Sequence, residues 1–181
     1  MTPKDAATLI LVDRSTSAPK ILMGRRNAAH AFLPGKYVFP GGRLDAGDAR
    51  MASASELSPE TLERLSLRMR RPANPARARA LALAAIRETF EETGFILGKP
   101  GTHTRPAPQG WKPFAASGHL PHLAGLTFFA RAITPPGRTR RFDTRFFLAD
   151  AAHIANPGSP TLHADGELLE SAWATLPEAM A

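Results

Sequence analysis

The run Arg87-Glu88-Thr89-Phe90-Glu91-Glu92-Thr93-Gly94 constrains this chain more than any other stretch. It continues an alanine- and leucine-rich run, residues 79–86, of strong helix formers. On a helix, Glu88, Glu91 and Glu92 stand at i, i+3 and i+4, so their carboxylates share one face. Like charges at this spacing repel, and near a helix C-terminus they also oppose the macrodipole. The pattern therefore indicates either a solvated acidic helix end or carboxylates that hold a cation.

A cation among the carboxylates would relieve this repulsion. Arg87 neutralises only part of the charge, and a hard divalent cation such as Mg²⁺ or Mn²⁺ prefers oxygen ligands. Gly94 suits the left-handed residue that ends a helix, so we expect the helix over residues 76–93. The acidic run thus favours a magnesium or manganese site.

A glycine-rich stretch precedes this helix. Gly41 and Gly42 follow a short predicted strand, and without a Cβ they let the main chain approach a ligand closely. Five residues separate Gly42 from an acid, Asp48. We therefore expect the main chain at Gly41 and Gly42 to lie against a ligand.

Joined in order, the two stretches resemble the box of the Nudix hydrolases, G-x5-E-x7-R-E-U-x-E-E-x-G-U, where U is bulky and apolar. Phe95 fills the last U. Asp48 replaces the first Glu, Thr89 replaces an apolar residue, and 38 residues separate Asp48 from Arg87 where the box has seven. The extra 31 residues, 49–79, are tolerable because loop-closure entropy grows slowly with length. We expect this insertion to pack on the domain and to shape the substrate pocket.

The resemblance implies a Nudix-type α/β/α sandwich with a mixed β-sheet, a helical insertion inside the box and hydrolysis of a nucleoside diphosphate linked to another group. The implied metal ligands are Glu88, Glu91, Glu92, the Gly42 carbonyl and Asp48, the last as a weaker ligand or an outer group. Arg87 orients the carboxylates by ion pairing. The general base stays open among Glu92, Glu167 and Glu170. Nudix proteins often dimerise, so a homodimer is the family expectation.

The divided box, with Phe39-Pro40-Gly41-Gly42 before it, resembles a subfamily that includes peroxisomal coenzyme A diphosphatases. The upstream signature of that subfamily, approximately L-L-T-x-R-S/A-x3-R-x3-G-x3-F-P-G-G, is partly matched by residues 22–42. Arg26 agrees and is a candidate substrate contact, whereas Ala31 replaces the second Arg. The resemblance implies hydrolysis of coenzyme A or acyl-coenzyme A to 3′,5′-ADP and phosphopantetheine.

Two alternatives stay open. The absent Arg at position 31 favours an NADH, ADP-ribose or nucleotide-sugar diphosphatase. Asp48 and Thr89 are the support for a non-catalytic nucleotide-binding Nudix domain, against which the three intact glutamates count.

Composition describes an ordinary globular chain. The 181 residues, 43% apolar and 22% charged, suffice for a single domain over 1–181, and the absence of cysteine excludes disulfides and thiolate metal sites. No apolar run reaches the roughly 20 residues of a membrane span, and the N-terminus lacks a secretory pattern. We therefore expect a cytoplasmic protein without a membrane partner.

The net charge of +7 favours anionic partners. The basic residues are spread along the chain rather than gathered in a block, so a small nucleotide diphosphate is preferred to nucleic acid. Arginine forms bidentate bonds to phosphate. The candidates for such contacts are Arg138, Arg140, Arg141 and Arg145, with a solvated loop as the alternative.

Strand and helix patterns are mixed without regular βαβ alternation, which predicts a mixed sheet with packed helices. The predicted strands are 6–12 and 20–25 as a hairpin, 37–39, 95–97, 123–133, 142–149 and 167–174. The predicted helices are 59–69, 76–93 and the start of one at 177–180. Residues 98–110 read as a mobile loop, and Trp111 and Phe114 as core or loop packing.

Overall fold

A computed structural model describes residues 2–26, 36–67, 69, 74–158 and 168–180. Its strands are β1 (Lys4–Asp13), β2 (Lys20–Arg26), β3 (Tyr37–Val38), β4 (Gly41–Arg43), β5 (Gly98–Pro100), β6 (His119–Pro121), β7 (Thr127–Ile133), β8 (Phe142–Asp150) and β9 (Leu168–Thr175). Its helices are α1 (Pro59–Leu67), α2 (Pro75–Thr93), α3 (Lys112–Ala116) and α4 (Leu176–Met180). Within these ranges, none of the helices has the length and apolar character that crossing a membrane requires.

Seven of these strands form one mixed sheet. Its order is β3-β2-β1-β8-β7, with β4 beside β1 and β9 beside β2. β1 and β8 run parallel, and the other pairs run antiparallel. The predicted hairpin is confirmed by the pairing of Val12 with Ile21. The predicted α/β fold with a mixed sheet is likewise confirmed.

The middle of helix α2 is buried on all sides, which explains its composition. Every residue of 81–86 has zero exposure, and a helix that is apolar all round belongs in a core. It packs on β1 and β4 and also on α1. The side chain of Asn74 caps its start by accepting the Arg77 N–H at 3.2 Å, and Gly94 ends it in the left-handed conformation at φ 73°. The helix predicted over 76–93 and its final glycine are therefore confirmed.

The insertion joins this core through α1. Ser58 caps α1 by accepting the Thr61 N–H at 3.2 Å. Leu65 is fully buried in the same cluster as α2, and the Thr61 hydroxyl donates to the Leu126 carbonyl at 3.3 Å. As predicted, the insertion packs on the rest of the chain.

Arg79 identifies the side of α2 that the insertion covers. Its guanidinium donates to the Met51 carbonyl at 3.0 Å and to the Ser53 hydroxyl at 2.7 Å. Arg79 precedes Glu88 by nine residues. At about 100° per residue, the two side chains therefore point to opposite sides of the helix. At Arg79, the insertion therefore contacts α2 on the side away from Glu88. These contacts give no support to the expectation that the insertion shapes the substrate pocket.

The strand predicted over 95–97 is wrong. Only Leu97 pairs, in an isolated bridge with Ile154. The side chain of Asn156 accepts the N–H of Ile96 at 2.7 Å and donates to the Gly94 carbonyl at 2.9 Å. Because one side chain takes up these main-chain groups, the segment needs no partner strand.

Two boundaries also differ from the prediction. The mobile loop predicted over 98–110 begins instead with β5, which pairs with β6. The strand predicted from 123 begins at Thr127, because residues 123–126 form a turn in which the Leu126 N–H donates to the Leu123 carbonyl at 3.0 Å.

Arg145, a candidate phosphate contact, lies in the core. Its side chain is 1% exposed and pairs with Asp5 at 3.2 Å and with Asp143 at 2.9 Å. Arg131 binds the same Asp143 at 2.7 Å. Burial lowers the pKa of Arg145, an effect that the charge of Asp143 opposes. Because it is buried among these charges, Arg145 is not placed to contact a substrate.

If the insertion is part of the core, Leu65→Ala should destabilise the protein by about 2–5 kcal/mol, the usual cost of emptying a buried leucine site. Leu67→Ala, in the same helix but 76% exposed, is the matched control and should change stability by less than about 0.5 kcal/mol. Denaturant unfolding measures both. Equal effects of the two substitutions would show that α1 does not pack as described.

Candidate active site

Arg87 is the centre of the acidic cluster. It is 4% exposed, and its Nε and Nη2 donate to the two carboxylate oxygens of Asp48 at 2.8 and 3.1 Å. Nη1 donates to Glu88 at 2.9 Å and to Glu91 at 3.1 Å, and Nη2 also donates to the Arg43 carbonyl at 2.9 Å. Burial alone would lower the pKa of Arg87, but the hydrogen bond to Asp48 and the carboxylate charges outweigh it and raise that pKa. The guanidinium is therefore a fixed cation at the centre of the carboxylates.

Asp48 lies behind this cluster and is fully buried. Besides the two bonds from Arg87, its Oδ1 accepts the Trp111 Nε1–H at 2.9 Å and its Oδ2 accepts the Asp45 N–H at 2.8 Å. Trp111 is itself buried, edge-to-face against Phe114 with ring centroids 5.4 Å apart. Each oxygen of Asp48 thus has two protein donors, an arrangement that suits a positioning group.

The three glutamates of the box helix differ in their surroundings. The side chain of Glu91 is 39% exposed, that of Glu88 is 16% exposed, and Glu92 is buried. Burial raises the pKa of Glu91, although the charge of Arg87 opposes the rise. Glu91 is therefore the carboxylate of this set with the most access to solvent.

Two glycines of β4 are closely packed, Gly42 against Glu88 and Gly41 against β1. A Cβ on Gly42 would lie 2.4 Å from the Cδ of Glu88, and one on Gly41 would lie 2.5 Å from the Ala7 carbonyl oxygen. The Gly41 N–H donates to Glu92 at 3.1 Å. Only glycine permits this approach, so the first half of the box is packed directly on the second.

The donor chemistry of the cluster fits a hard divalent cation, because its three glutamates offer oxygen alone. In the structure the glutamate oxygens bind protein donors: Glu88 and Glu91 bind Arg87, and Glu92 binds the Gly41 N–H. Across the described ranges, no three acidic, cysteine or histidine side chains converge as a ready-made metal site. Each of these bonds uses one carboxylate oxygen, and a carboxylate has two, so the glutamates keep acceptor capacity for a cation.

Glu170, a candidate base, lies on β9 and is already paired. The Arg25 Nε and the Tyr37 hydroxyl both reach its Oε1, each at 2.9 Å. The hydrogen bond to Glu170 raises the pKa of Tyr37, which keeps the hydroxyl a donor. Glu167, a second candidate base, lies outside the described residues. Of the three candidates, Glu92 is the one that the described structure places in the acidic cluster.

Arg140 and Arg141, predicted substrate contacts, lie in the turn between β7 and β8. The Arg141 carbonyl accepts the Lys4 N–H at 2.9 Å, at the beginning of β1. Thr8, four residues further along β1, pairs with Gly41. Arg141 therefore lies at the beginning of β1, whereas Gly41, which adjoins Glu92, lies beside Thr8. Of these predicted substrate contacts, Gly41 is the one that the structure places beside a glutamate.

Two further residues complete the comparison with the sequence. The expected packing of Trp111 is confirmed. The hydrogen bond from Trp111 to Asp48 is not among the predictions from the sequence. A buried indole N–H needs an acceptor, which is the signal that could have pointed to such a bond. The backbone of Arg26 pairs with Leu168, and its side chain lies outside the described part of the chain.

The chain is similar to known proteins in sequence and in fold. No protein-family model matches the chain. The acyl-coenzyme A diphosphatase NUDT19 of Gallus gallus is 27% identical over 213 residues, covering 89% of this chain and 55% of the relative. The putative nudix hydrolase 7 of Caenorhabditis elegans is 27% identical over 156 residues, covering 80% of this chain and 43% of the relative. The chain thus spans about half the length of these curated relatives.

A solved structure extends the likeness to the fold. The Nudix hydrolase from Alicyclobacillus acidocaldarius is 28% identical with a TM-score of 0.68, covering 97% of this chain and 80% of that one. Its similarity agrees with the fold predicted from the divided box. By sequence and by fold, this chain is a relative of the Nudix hydrolases that resembles the acyl-coenzyme A diphosphatases among them.

Proposed function

We propose that this protein hydrolyses the diphosphate linkage of a nucleoside diphosphate derivative in a metal-dependent reaction, with coenzyme A or acyl-coenzyme A as the substrate. The observation that carries the proposal is the Arg87 guanidinium, which joins Asp48, Glu88 and Glu91 beside the Gly42 main chain. The similarity to an acyl-coenzyme A diphosphatase supports the substrate. The products would be 3′,5′-ADP and phosphopantetheine or its acyl form.

The proposed roles follow from the surroundings of each side chain. Glu88, Glu91 and Glu92, with the Gly42 carbonyl, would hold Mg²⁺ or Mn²⁺. When bound, the ion supplies charge neutralisation of the diphosphate and a bound water of lowered pKa. Arg87 holds the carboxylates together although they repel.

Asp48 and Glu92 have further proposed roles. Asp48, with both oxygens bonded to protein donors, would position Arg87 rather than ligate the ion. Glu92 is the candidate base within reach of the acidic cluster, and Glu167 stays a candidate.

The other substrate contacts stay proposals. Gly41 would lie against the diphosphate because its main chain adjoins Glu92, a proposed metal ligand. Arg26 and the pair Arg140 and Arg141 would contact more distant phosphate groups. The single domain over 1–181, the homodimer and the cytoplasmic location also stay predictions.

An assay over coenzyme A, acyl-coenzyme A, NADH, ADP-ribose and a nucleotide sugar tests the substrate. We expect Mg²⁺- or Mn²⁺-dependent release of 3′,5′-ADP from the coenzyme A compounds, identified by mass spectrometry. Turnover of NADH or ADP-ribose with coenzyme A left intact would favour the alternative that the missing Arg at position 31 suggests. No turnover of any compound, together with binding of one, would favour a nucleotide-binding domain without catalysis.

Glu88→Gln, Glu91→Gln and Glu92→Gln should each reduce metal-dependent hydrolysis. The loss should exceed the roughly 10- to 100-fold that removal of an outer partner of a metal ligand costs. Glu63→Gln, which changes an exposed residue of α1, is the control and should retain the wild-type rate. Initial rates over a metal titration measure the effect. Wild-type rates in all three box variants would rule out the proposed ligand set.

Glu91→Gln should also leave the thermal unfolding temperature of the metal-free protein undiminished. Because burial raises the pKa of Glu91, its charged form is less favourable in the folded than in the unfolded chain, so removing the charge costs no stability above that pKa. A marked fall in this temperature would mean that the activity loss reflects unfolding.

Asp48→Asn should destabilise the protein by about 3 kcal/mol, because it leaves the buried Arg87 without its main counter-charge. Asp45→Asn is the matched control: its exposed side chain is changed, but its N–H to Asp48 is kept, so the change should stay within about 0.5 kcal/mol. Urea unfolding of both variants provides the measurement. Wild-type stability of Asp48→Asn would contradict the positioning role.

A further inference from the structure

The short turn that ends at Trp111 lies against both halves of the box. A Cβ on Gly47, in the first half, would lie 3.1 Å from the Cβ of Pro108, where the turn begins. A Cβ on Gly110 would lie 3.6 Å from the Cδ of Arg87, in the second half. The turn therefore belongs to the surroundings of the acidic cluster, although it lies outside the box in sequence.

The Trp111 indole completes the hydrogen bonding of the buried Asp48. Its N–H donates to the Oδ1 of Asp48 at 2.9 Å, and the Nε of Arg87 donates to the same oxygen at 2.8 Å. An indole N–H is a donor only, so it can hold a carboxylate but not compete with it for the guanidinium. The position of the indole thus constrains the carboxylate to which Arg87 is bonded.

The orientation of Arg87 determines where two glutamates are held. Its guanidinium is planar and presents its donors in a rigid fork. Nε and Nη2 bind Asp48, and Nη1 binds both Glu88 and Glu91. Because the fork is rigid, a tilt of the edge at Asp48 moves Nη1 and the carboxylates bonded to it.

Trp111 is also fixed to the box helix by ring contacts. It packs edge-to-face on Phe114 with ring centroids 5.4 Å apart, and Phe114 packs in the same way on Phe90 at 5.3 Å. Phe90 belongs to α2 and lies between Glu88 and Glu91 in sequence. The indole is therefore held to the helix that carries the glutamates by apolar contacts as well as through its hydrogen bond.

We propose that Trp111 is a positioning residue of the metal site, acting through Asp48 and Arg87, an inference that rests on the proposed function and deepens it. Its N–H holds Asp48 in the orientation that presents Nη1 of Arg87 to Glu88 and Glu91. Without this bond the two carboxylates have more freedom, and the cost of ordering them is subtracted from the free energy of metal binding. Trp111 thus strengthens metal binding although its one polar atom is bonded to Asp48.

Direct measurement of Mn²⁺ binding, from the loss of the paramagnetic resonance signal of the free ion, tests this role without an activity assay. Trp111→Phe keeps a ring and removes the N–H. It should weaken Mn²⁺ binding about tenfold, the lower end of the range for removing an outer partner of a metal ligand. The Mn²⁺ concentration for half-maximal hydrolysis should rise by the same factor, while the substrate KM at saturating Mn²⁺ should stay at the wild-type value.

A second replacement separates the hydrogen bond from the ring packing. Benzothienylalanine at position 111 has sulfur in place of the N–H and keeps the size and shape of the indole. It should weaken Mn²⁺ binding as Trp111→Phe does. Wild-type Mn²⁺ affinity with this replacement would overturn the role of the N–H.

Two control variants separate positioning from a general loss of stability. Trp173→Phe makes the same change at the chain's other tryptophan, on β9, and should leave Mn²⁺ binding unchanged. Leu65→Ala empties a buried site in α1 and should lower stability while Mn²⁺ affinity stays at the wild-type value. An equal loss of Mn²⁺ affinity in Leu65→Ala and Trp111→Phe would overturn the positioning role.

The outcomes also distinguish this role from the proposed function. A wild type that binds Mn²⁺ and hydrolyses a diphosphate, with Trp111→Phe equal to it in both, would overturn the role of Trp111 alone. A wild type that binds Mn²⁺ more tightly than Trp111→Phe but hydrolyses no diphosphate would overturn the proposed function and support the role. A wild type that does not bind Mn²⁺ would overturn both.

Discussion

The buried guanidinium of Arg87 is the constraint on which the site depends. Taking a cation out of water costs several kcal/mol, and the cost is offset only where its donors find well-placed acceptors. Asp48 supplies two, the Arg43 carbonyl one, and Glu88 and Glu91 one each. The same bonds hold two carboxylates close together although they repel. The hydrogen bonds that satisfy the Arg87 guanidinium are therefore the same ones that hold Glu88 and Glu91 together.

The divided box is explained by the helix that carries its second half. A small-residue helix with zero exposure over 81–86 needs cover on more than one side, and β1 and β4 supply only part of it. The insertion supplies more, through Leu65 and through the bonds of Arg79. Asp48 and Arg87 stand 39 positions apart in sequence yet 2.8 Å apart in space. The insertion interrupts the motif along the chain without separating its parts.

Local features of this fold are predictable, and long-range pairings are not. The cap at Ser58 and the glycine that ends α2 at Gly94 follow from rules that act within one turn. The failed strand over 95–97 has apolar residues typical of strands, but Asn156, some 60 positions away, takes up its main-chain groups. The bond from Trp111 to Asp48 spans 63 positions, and no local pattern specifies its acceptor. The acidic cluster can be predicted from the sequence because its glutamates share one helix face.

The pairing of Glu170 also bears on the general base. Glu170 offers an oxygen to both Arg25 and Tyr37, and a carboxylate that is paired with a cation is a weaker proton acceptor than a free one. As a base, Glu170 would lose its attraction to the Arg25 guanidinium on taking up a proton. This conflict favours a base on the box helix among the described candidates.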